Sequence, residues 1–457
     1  MADIKAFRAL RYDPDKVNPA EAVTQPYDKI TPAMQDKYYS VSDYNLVRII
    51  LGRAGTSDSD ADNVYTRAAG FFQDWRAKGV LRPDARESIY YYTQRFTIAA
   101  AALGHTGAPV ELERRGFIAL GRIHDYSDGV VFRHEQTLAK PRSDRLNLLR
   151  ATKAHFGQIF MLYSDPAGEI DLLLENSVLT VMPGATRQSE ADAALSQDPD
   201  ISVTDEYGVL HRVWAVSHPQ VVKAVIEKMR DKKLLIADGH HRYETALTYR
   251  DERRKAAGGS VEAEAPYERV MMTFVNMDSR GLVILPTHRV VHSLKSFDRE
   301  KFLEGARKYF EVVPSTGRCE ETLAKLHEAG KHGTALMVAS GDECFLLHAR
   351  AGAADGLLGG VAPLQRQLDM VQLHKVLLEH VLGLSEESIR NQENISYHRD
   401  AEEVLRRVRE GANLACLMNP IKMEQLREVT FAGGVLPQKS TDFYPKLLSG
   451  LTVYPLE

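Results

Sequence analysis

One short stretch of the chain carries several side chains that could do chemistry. It runs Asp238-Gly239-His240-His241-Arg242-Tyr243-Glu244 and follows directly on the apolar residues 234–237. The apolar run has the length of a buried strand, whereas Tyr243, Ala246 and Leu247 recur at helical spacing. We therefore predict a strand, a tight turn at Gly239 and a helix that stops near Gly258-Gly259. Asp238 is the predicted N-cap of that helix.

A turn of this composition can bind an anion. The free N–H groups and the positive dipole end of a helix start favour phosphate, and His240 and Arg242 would add donors beside Gly239. Asp238 could act as a general base, and His241 and Glu244 share a helix face, which suits acid–base catalysis. The alternative is a structural strand–helix junction whose polar side chains only satisfy hydrogen bonds.

A second polar cluster follows another apolar strand, residues 129–132. It consists of Arg133-His134-Glu135-Gln136-Thr137 and leads into a predicted helix that begins near Pro141. Arg142 and Arg145 lie on one face of that helix. Because arginine offers a planar fork of donors, Arg133, Arg142 and Arg145 are a candidate clamp for phosphate oxygens. A basic helix face that is merely solvated is the alternative.

Other segments are less distinctive. Residues 43–51 are predicted to form a strand in which Arg48 is paired or points into a cleft. Thr287-His288-Arg289 closes a further apolar run, and His288 is as readily a core histidine as a functional one. Lys439-Ser440-Thr441 near the end is rich in hydroxyls and cations, a composition typical of an exposed tail.

Several of these motifs, in this order, resemble the domain-of-unknown-function 1015 (DUF1015) family. The resembling stretches are Pro26-Tyr27-Asp28, residues 45–48, residues 133–137, the stretch Ala237–Ala246, residues 286–289 and residues 439–446. The resemblance implies that residues 439–446 fold back towards the main cleft. It therefore adds Lys439, Ser440 and Thr441 to the ligand-binding candidates. The other ligand-binding candidates are Gly239, His240, Arg242, Arg133, His134, Thr137, Arg142 and Arg145. Asp238, His241, Glu135 and Glu244 are the catalytic candidates.

The Asp-Gly-His-His-Arg turn by itself is similar to the phosphate-binding turn of the ParB/sulfiredoxin superfamily, which includes a free-serine kinase. This similarity implies an α+β (mixed α/β) fold with a ParB/sulfiredoxin-like mixed-sheet core. We predict an N-terminal α/β region at residues 1–110, the core at 111–295, a separate C-terminal α/β domain at 296–425 and a tail at 426–457. Alternating helices and strands after residue 297 support the separate C-terminal domain.

Composition narrows the class of protein. The chain has 457 residues, 26% of them charged, and a net charge of −4, which gives no overall attraction to nucleic acid. The three cysteines form no CxxC pair, the start lacks the apolar core of a signal peptide, and no apolar run approaches the ~20 residues of a membrane helix. We predict a soluble cytoplasmic protein without nucleic-acid or membrane partners. A homodimer stays open.

Three functions fit these residues. The first is a protein that binds a nucleotide or another phosphorylated small molecule, with ATP or ADP and Mg²⁺ as cofactors, and that transfers phosphate to a small amino or hydroxy acid. The second is a metal-dependent hydrolase with Asp238, His240, His241, His134 and Glu135 as ligands, although no HxxxH or HExxH spacing is present. The third is a non-enzymatic, nucleotide-gated regulatory protein. In the first case, Arg242→Ala should weaken phosphate binding with little change in melting temperature.

Overall fold

The computed structural model describes residues 2–103, 107–135, 139–179, 198–259, 262 and 264–457. Within these ranges the strands, in chain order, are Ile4–Lys5 (β1), Leu10–Tyr12 (β2), Leu81–Pro83 (β3), Ile89–Ile98 (β4), Val110–Arg122 (β5), Val131–Phe132 (β6), Ala154–His155 (β7), Ile159–Tyr163 (β8), Ile201–Thr204 (β9), Leu210–Val216 (β10), Leu234–Asp238 (β11), Arg269–Asn276 (β12), Val283–Leu285 (β13), His288–Val291 (β14), Phe310–Ser315 (β15), Ala335–Ser340 (β16), Glu343–Ala349 (β17), Ile395–His398 (β18), Leu414–Met418 (β19), Asp442–Tyr444 (β20) and Tyr454–Pro455 (β21).

The α-helices of the same ranges are Pro19–Ala22 (α1), Pro32–Val41 (α2), Val47–Ile50 (α3), Val64–Ala77 (α4), Ala139–Thr152 (α5), Glu169–Val178 (α6), Pro219–Met229 (α7), His240–Ala256 (α8), Arg299–Arg307 (α9), Cys319–Gly330 (α10), Asp369–Gln372 (α11), Glu386–Asn391 (α12), Ala401–Arg409 (α13) and Met423–Phe431 (α14). A π-helix, Leu373–Val381, follows α11 directly. None of the described helices is long and apolar enough to cross a membrane.

Among the described residues, nine strands form a large mixed sheet. Its order is β6-β11-β8-β12-β5-β4-β10-β9, with β1 paired to β5. The pairs β11–β6 and β12–β8 are parallel and the others are antiparallel. The protein is therefore a mixed α/β fold built around a large mixed sheet with helices packed against it.

A second sheet, antiparallel throughout, has the order β15-β17-β16-β19-β14-β18. The predicted domain limits stay predictions, but strand pairing crosses all three of them. β4 and β1, from the predicted N-terminal region, pair with β5 in the large sheet, and β14 lies in the second sheet although it precedes residue 295. The tail contributes β20, which pairs with β13.

The two faces of the large sheet bury different clusters, as the two-residue period of a strand requires. In β11, Leu234 and Ile236 pack on the face covered by α6, α7 and α8, whereas Leu235 and Ala237 face the cluster that continues into the second sheet. The pairing of β11 with β8 shifts register between Ile236 and Asp238. Such an irregularity re-aims the side chain that follows it, and Asp238 lines the same cleft as Ala237.

One strand prediction is wrong. Residues 43–51 do not form a strand, because Val47–Ile50 is a short helix whose residues Val47, Ile49 and Ile50 are buried. A run of a few apolar residues fits one buried helical turn as well as a strand, so periodicity could not decide. Arg48 is paired, since it donates to Asp43 and to the Tyr39 carbonyl oxygen.

Candidate functional site

The turn at the end of β11 has the predicted strand–turn–helix form but a different cap. Asp238 is the last strand residue, and Gly239 occupies the N-cap position of α8 with a φ of 93° and no side-chain cap. Asp238 as N-cap is therefore wrong. The positive φ requires glycine there because an L side chain would be strained. The helix ends at Ala256, followed by Gly258 and Gly259 with positive φ, so the predicted stop is confirmed.

The space beside Gly239 is filled by Arg242. A Cβ atom at Gly239 would lie 3.0 Å from the Nε atom of Arg242. The guanidinium donates to the Gln158 carbonyl oxygen and lies 3.6 Å from the Asp238 carboxylate. Arg242 therefore ties the start of α8 to the neighbouring β8 segment, and its side chain is not aimed outwards at a ligand.

Two further predicted phosphate ligands contact Glu244 instead. Arg133 and Arg142 lie 3.2 and 3.5 Å from the two carboxylate oxygens of Glu244, whose side chain is only 9% exposed. Arg133 also stacks over Tyr126, with its guanidinium carbon 4.7 Å from the ring centroid. These contacts place Glu244 between cations on the helix side of the turn, away from the cleft that Asp238 lines.

Arg145 belongs to a separate place. It donates to Asp144 at 2.8 Å and to the Ile50 carbonyl oxygen at 2.7 Å, and it stacks on Tyr27 at 4.1 Å. With Arg242 it borders a small cavity of about 70 Å³. The predicted arginines are thus not brought together around one phosphate position.

A larger polar cleft of about 380 Å³ opens in front of Asp238, between the large sheet, the second sheet and the tail. Ionisable side chains from five separate segments line it. They are Asp28, Lys29, Glu135, Asp238, His240, His398, Arg399, Lys439, Asp442 and Lys446, joined by Tyr207, Ala237, Thr287, Tyr397 and Thr441.

Lys446 is the central cation of this cleft. Its ammonium lies 3.2 Å from Asp442 and 3.8 Å from Asp238, and its side chain is 11% exposed. Burial disfavours the charged ammonium, but these carboxylates outweigh burial and raise the pKa of Lys446. Burial likewise disfavours the Asp238 carboxylate, yet Lys446, Arg242 and Lys29 hold the pKa of Asp238 well below its usual range. Both groups are charged at neutral pH.

Lys29 differs from Lys446. It is half-buried in the same cleft, and burial together with the nearby Lys446 ammonium lowers its pKa. Within the described ranges, no carboxylate lies at ion-pair distance from its ammonium. The cleft therefore keeps two neighbouring cations together where only one has ion-pair partners.

Two buried histidines lie at the inner end of the cleft, where His240 lines it and His134 packs against His240. The Nδ1 atom of His134 lies 2.8 Å from the Ile236 carbonyl oxygen, so Nδ1 carries the proton and Nε2 accepts from the Thr441 hydroxyl at 2.7 Å. The His240 ring packs edge-on against His134 at 4.6 Å. Burial, and for His240 also the His134 ring, lowers the pKa of both groups. In the described structure the buried His240 Nε2 makes no hydrogen bond.

The tail segment closes the cleft. The backbone N–H of Ser440 donates to Glu135 at 3.3 Å, and the Ser440 hydroxyl donates to the Pro437 carbonyl oxygen at 2.5 Å. Lys439 has a φ of 57°, which is uncommon for a residue other than glycine, and its side chain is exposed. The tail therefore contributes Lys439, Thr441 and Lys446 to the same cleft as Glu135.

Two predicted candidates remain to be placed. His241 is half-buried on α8, where burial lowers its pKa against the opposing effect of Glu244. Thr137 lies outside the described residues.

The backbone of the tail is fixed from the large sheet. Arg114, 1% exposed, donates to the Tyr444 carbonyl oxygen at 3.1 Å and to that of Pro445 at 2.5 Å. Gln94 donates to the Lys446 carbonyl oxygen at 2.8 Å. Burial lowers the pKa of Arg114 to about 10, and no carboxylate of the described ranges pairs with it. Three consecutive carbonyls are thus held so that Lys446 reaches Asp238.

Sequence reasoning missed several lining residues. Lys29 lies beside, and Lys446 within, a stretch that resembles the DUF1015 family, so the resemblance contained a signal for them. His398, Arg399 and Tyr207 had none, because they come from segments without unusual composition.

The metal-ligand set predicted for a hydrolase is not assembled. Among the described residues, no group of three or more His, Cys, Asp and Glu side chains is positioned to hold a metal ion. His134 already uses both ring nitrogens for hydrogen bonds within the protein. The geometry therefore gives the hydrolase hypothesis no support.

A family model described as "Protein of unknown function (DUF1015)" matches residues 4–371, most of the chain, and the protein belongs to that family. The tail motif at residues 439–446 lies outside the matched range. Among curated proteins, no match is found.

Solved structures resemble the chain only distantly. A conserved hypothetical protein from Pyrococcus furiosus is 14% identical, covers 69% of this chain and 87% of its own, and has a TM-score of 0.32. A free serine kinase in complex with AMP is 14% identical, with 70% and 89% coverage and a TM-score of 0.33. SbnI with C-terminal truncation from Staphylococcus aureus is 10% identical, with 74% and 87% coverage and a TM-score of 0.34. TM-scores of this size do not establish a common fold.

Proposed function

We propose that the polar cleft binds a phosphorylated small molecule. The observation that carries this proposal is Lys29, which is half-buried near the Lys446 ammonium with no carboxylate at ion-pair distance among the described residues, although Asp442 and Asp28 lie further off. Two neighbouring cations in a partly desolvated cleft repel each other, and an entering anion removes that cost. Phosphate oxygens are strong acceptors for ammonium and guanidinium donors.

Further cations border the position that the anion would take. Lys439 is exposed at the cleft edge, and Arg399 lies 2.6 Å from Asp442. These groups would hold the outer phosphate oxygens, while Lys29 and Lys446 would hold the inner ones. This assignment replaces the arginine clamp that the sequence indicated.

Carboxylates suited to catalysis line the same cleft. Asp28 and Glu135 make no ion pair with a cation in the described part of the chain, so they are available to bind Mg²⁺ or to take a proton from an acceptor hydroxyl. Asp238 is charged and next to Lys446. We infer that the protein is a phosphotransferase which uses ATP or ADP with Mg²⁺ and acts on a small amino or hydroxy acid, since such chemistry mainly needs positioning and charge stabilisation.

The proposal includes four finer predictions. They are the ParB/sulfiredoxin-like core, the catalytic role of His241, a homodimer and a cytoplasmic location. The competing function is that of a protein that binds the same ligand without catalysis. Only the transfer of phosphate distinguishes the two functions.

A thermal-shift screen tests the proposal. Purified protein is measured with ATP, ADP, AMP, CTP, GTP and pyrophosphate, each with and without magnesium. A ligand at 100 times its dissociation constant adds about 2.7 kcal/mol to the stability of the folded form. We expect a shift for at least one compound, reduced in Lys29→Gln, followed by phosphate transfer to an amino or hydroxy acid. No shift with any compound would contradict the proposal, and binding without transfer would favour the regulatory alternative.

A further inference from the structure

A second cavity, of about 210 Å³, lies in the C-terminal part of the chain. Its walls are the π-helix Leu373–Val381, helix α12 and the segment of residues 435–438. It shares only Tyr397 with the polar cleft, so it is a different space. Its volume is below the range usual for drug-sized ligands and suits a small organic molecule.

A buried imidazole faces this cavity. His374 is 5% exposed and lines the wall, and within the described ranges its Nε2 atom makes no hydrogen bond. Leaving such a buried atom unpaired is unfavourable, and a hydrogen-bonding group of a ligand in the cavity would remove that cost. The residue sits in a nine-residue π-helix, a form rare in proteins and frequent at functional sites.

The rim carries balanced charges. Lys375 lies 3.0 Å from Glu379 and 3.5 Å from Glu386, and Arg390 lies 3.1 Å from Glu386. All four side chains line the cavity. Two cations alternating with two carboxylates match a ligand that itself carries one positive and one negative group, because no net charge is then added.

The deeper wall is aliphatic. Val371, Ile389 and Leu436 are at most 6% exposed and line the cavity together with Val361 and Val435. A branched apolar side chain of a ligand would bury its surface against them, which favours binding. Paired rim charges, one buried nitrogen that can form a hydrogen bond and an aliphatic wall together fit a ligand that is an amphipathic zwitterion.

The wall of this cavity is joined to the polar cleft. The backbone N–H of Leu436 donates to the His134 carbonyl oxygen at 2.7 Å, and Leu436 forms a parallel bridge with Glu135. Three residues later Lys439 lines the cleft, and its carbonyl oxygen accepts from Arg289 at 3.2 Å. A displacement of Leu436 would therefore be passed to two segments of the cleft.

We propose that this cavity is an effector site for a free α-amino acid with an aliphatic side chain, and that its occupation acts on the cleft through residues 435–439. The carboxylate of the ligand meets Lys375 and Arg390, its ammonium meets Glu379 and Glu386, and its side chain packs on Leu436. The site itself does not depend on the function proposed for the cleft.

Isothermal titration of the full chain with leucine and valine tests the site, with isovalerate and isobutylamine as ligands that carry one charge only. We expect saturable binding of an amino acid, no binding of the singly charged compounds, and at least fivefold weaker binding in Glu386→Gln and His374→Leu. Glu328→Gln is the matched control, since Glu328 forms a similar exposed ion pair with Lys331 at 2.6 Å outside the cavity. Absence of amino-acid binding by the unaltered protein, or equal affinity in Glu386→Gln and Glu328→Gln, would overturn the proposal.

Hydrogen exchange measures the coupling without any phosphate ligand. Saturation with the amino acid should slow exchange at least threefold at the amide of Leu436 and at those of residues 438–441. Protection confined to the π-helix, with no change at Leu436, would overturn the coupling to the cleft.

Discussion

The Lys446 ammonium lies 3.8 Å from the Asp238 carboxylate, so an ion pair joins the tail to the turn at the end of β11. The same ammonium lies 3.2 Å from Asp442. Removing the cation leaves Asp238 with Arg242 and Asp442 with Arg399 as remaining ion-pair partners. The loss should therefore stay below the about 3–5 kcal/mol of a buried charge left unpaired. We therefore expect Lys446→Met to lower the urea midpoint of unfolding clearly.

The double variant supplies the control for this expectation. Adding Asp238→Asn to Lys446→Met removes one of the two carboxylate charges that lost the ammonium and should restore part of the lost stability. A midpoint for Lys446→Met equal to that of the unaltered protein would show that the ion pair contributes nothing to stability.

Glycine at 239 is expected to be necessary for two reasons that can be separated. Gly239→Ala introduces a positive-φ side chain and also a Cβ atom 3.0 Å from the Arg242 guanidinium. Gly258→Ala introduces a side chain at a φ of 72° with no atom within 4 Å. Strain alone costs about 1 kcal/mol, so Gly239→Ala should lose more stability than Gly258→Ala in thermal melting. Equal losses would mean that the Arg242 contact is without consequence.

Arg242→Ala should now lower the melting temperature, in contrast to the expectation from sequence. The guanidinium donates to the Gln158 carbonyl oxygen and lies 3.6 Å from Asp238. A hydrogen bond from a charged donor contributes about 1.5–3 kcal/mol. Arg242→Lys keeps the positive charge but not the planar set of guanidinium donors, so it should recover only part of the lost melting temperature. A melting temperature unchanged in Arg242→Ala would support the original expectation.

Stability should depend on pH through His288. Its Nδ1 accepts from the Met418 backbone N–H at 3.1 Å, and burial, followed by Arg289, lowers its pKa to about 3. The unfolded chain takes up a proton below pH ~6.5, whereas the folded chain does not, so this stability is lost as pH falls from ~6.5 towards 3. The free energy of unfolding changes through this group by at most about 1.4 kcal/mol per pH unit.

His288→Asn isolates that contribution. The amide oxygen of asparagine can accept the same hydrogen bond but does not titrate, so the stability difference between the two proteins should shrink between pH 7.5 and 5. His218 is exposed, so His218→Asn measures how the exchange of a histidine that is not buried changes the pH dependence of stability. A difference that stays constant for His288→Asn would contradict the protonation argument.

The fold was predictable where long periodic segments decide it. β11 was indicated by the length of its apolar run, and α8 with its stop at Gly258 by the helical spacing of its apolar residues. The helix Val47–Ile50 was wrongly predicted as a strand, because a single helical turn is too short to show a helical spacing of apolar residues. The second sheet could not be assembled from sequence, since β14 and β18 pair across more than a hundred residues.

The site was predictable in part, and for a physical reason. Asp238, His240, Glu135 and Thr441 line one cleft, as the motifs indicated. The arginines do not, because buried carbonyls and carboxylates such as Glu244 satisfy their donors nearby. Which cation of the described residues remains without an ion-pair partner depends on all contacts in the folded chain, so the sequence did not single out Lys29.

The central claim is that Lys29 binds a phosphorylated ligand in the polar cleft. Isothermal titration with pyrophosphate and with magnesium ATP, in the unaltered protein, Lys29→Gln and Lys37→Gln, tests it most directly. Lys37 is an exposed lysine on α2 and serves as the matched control. We expect Lys29→Gln to bind at least tenfold more weakly, about 1.4 kcal/mol, and Lys37→Gln to bind as the unaltered protein does. Equal affinity in the two variants, or no binding by the unaltered protein, would contradict the account.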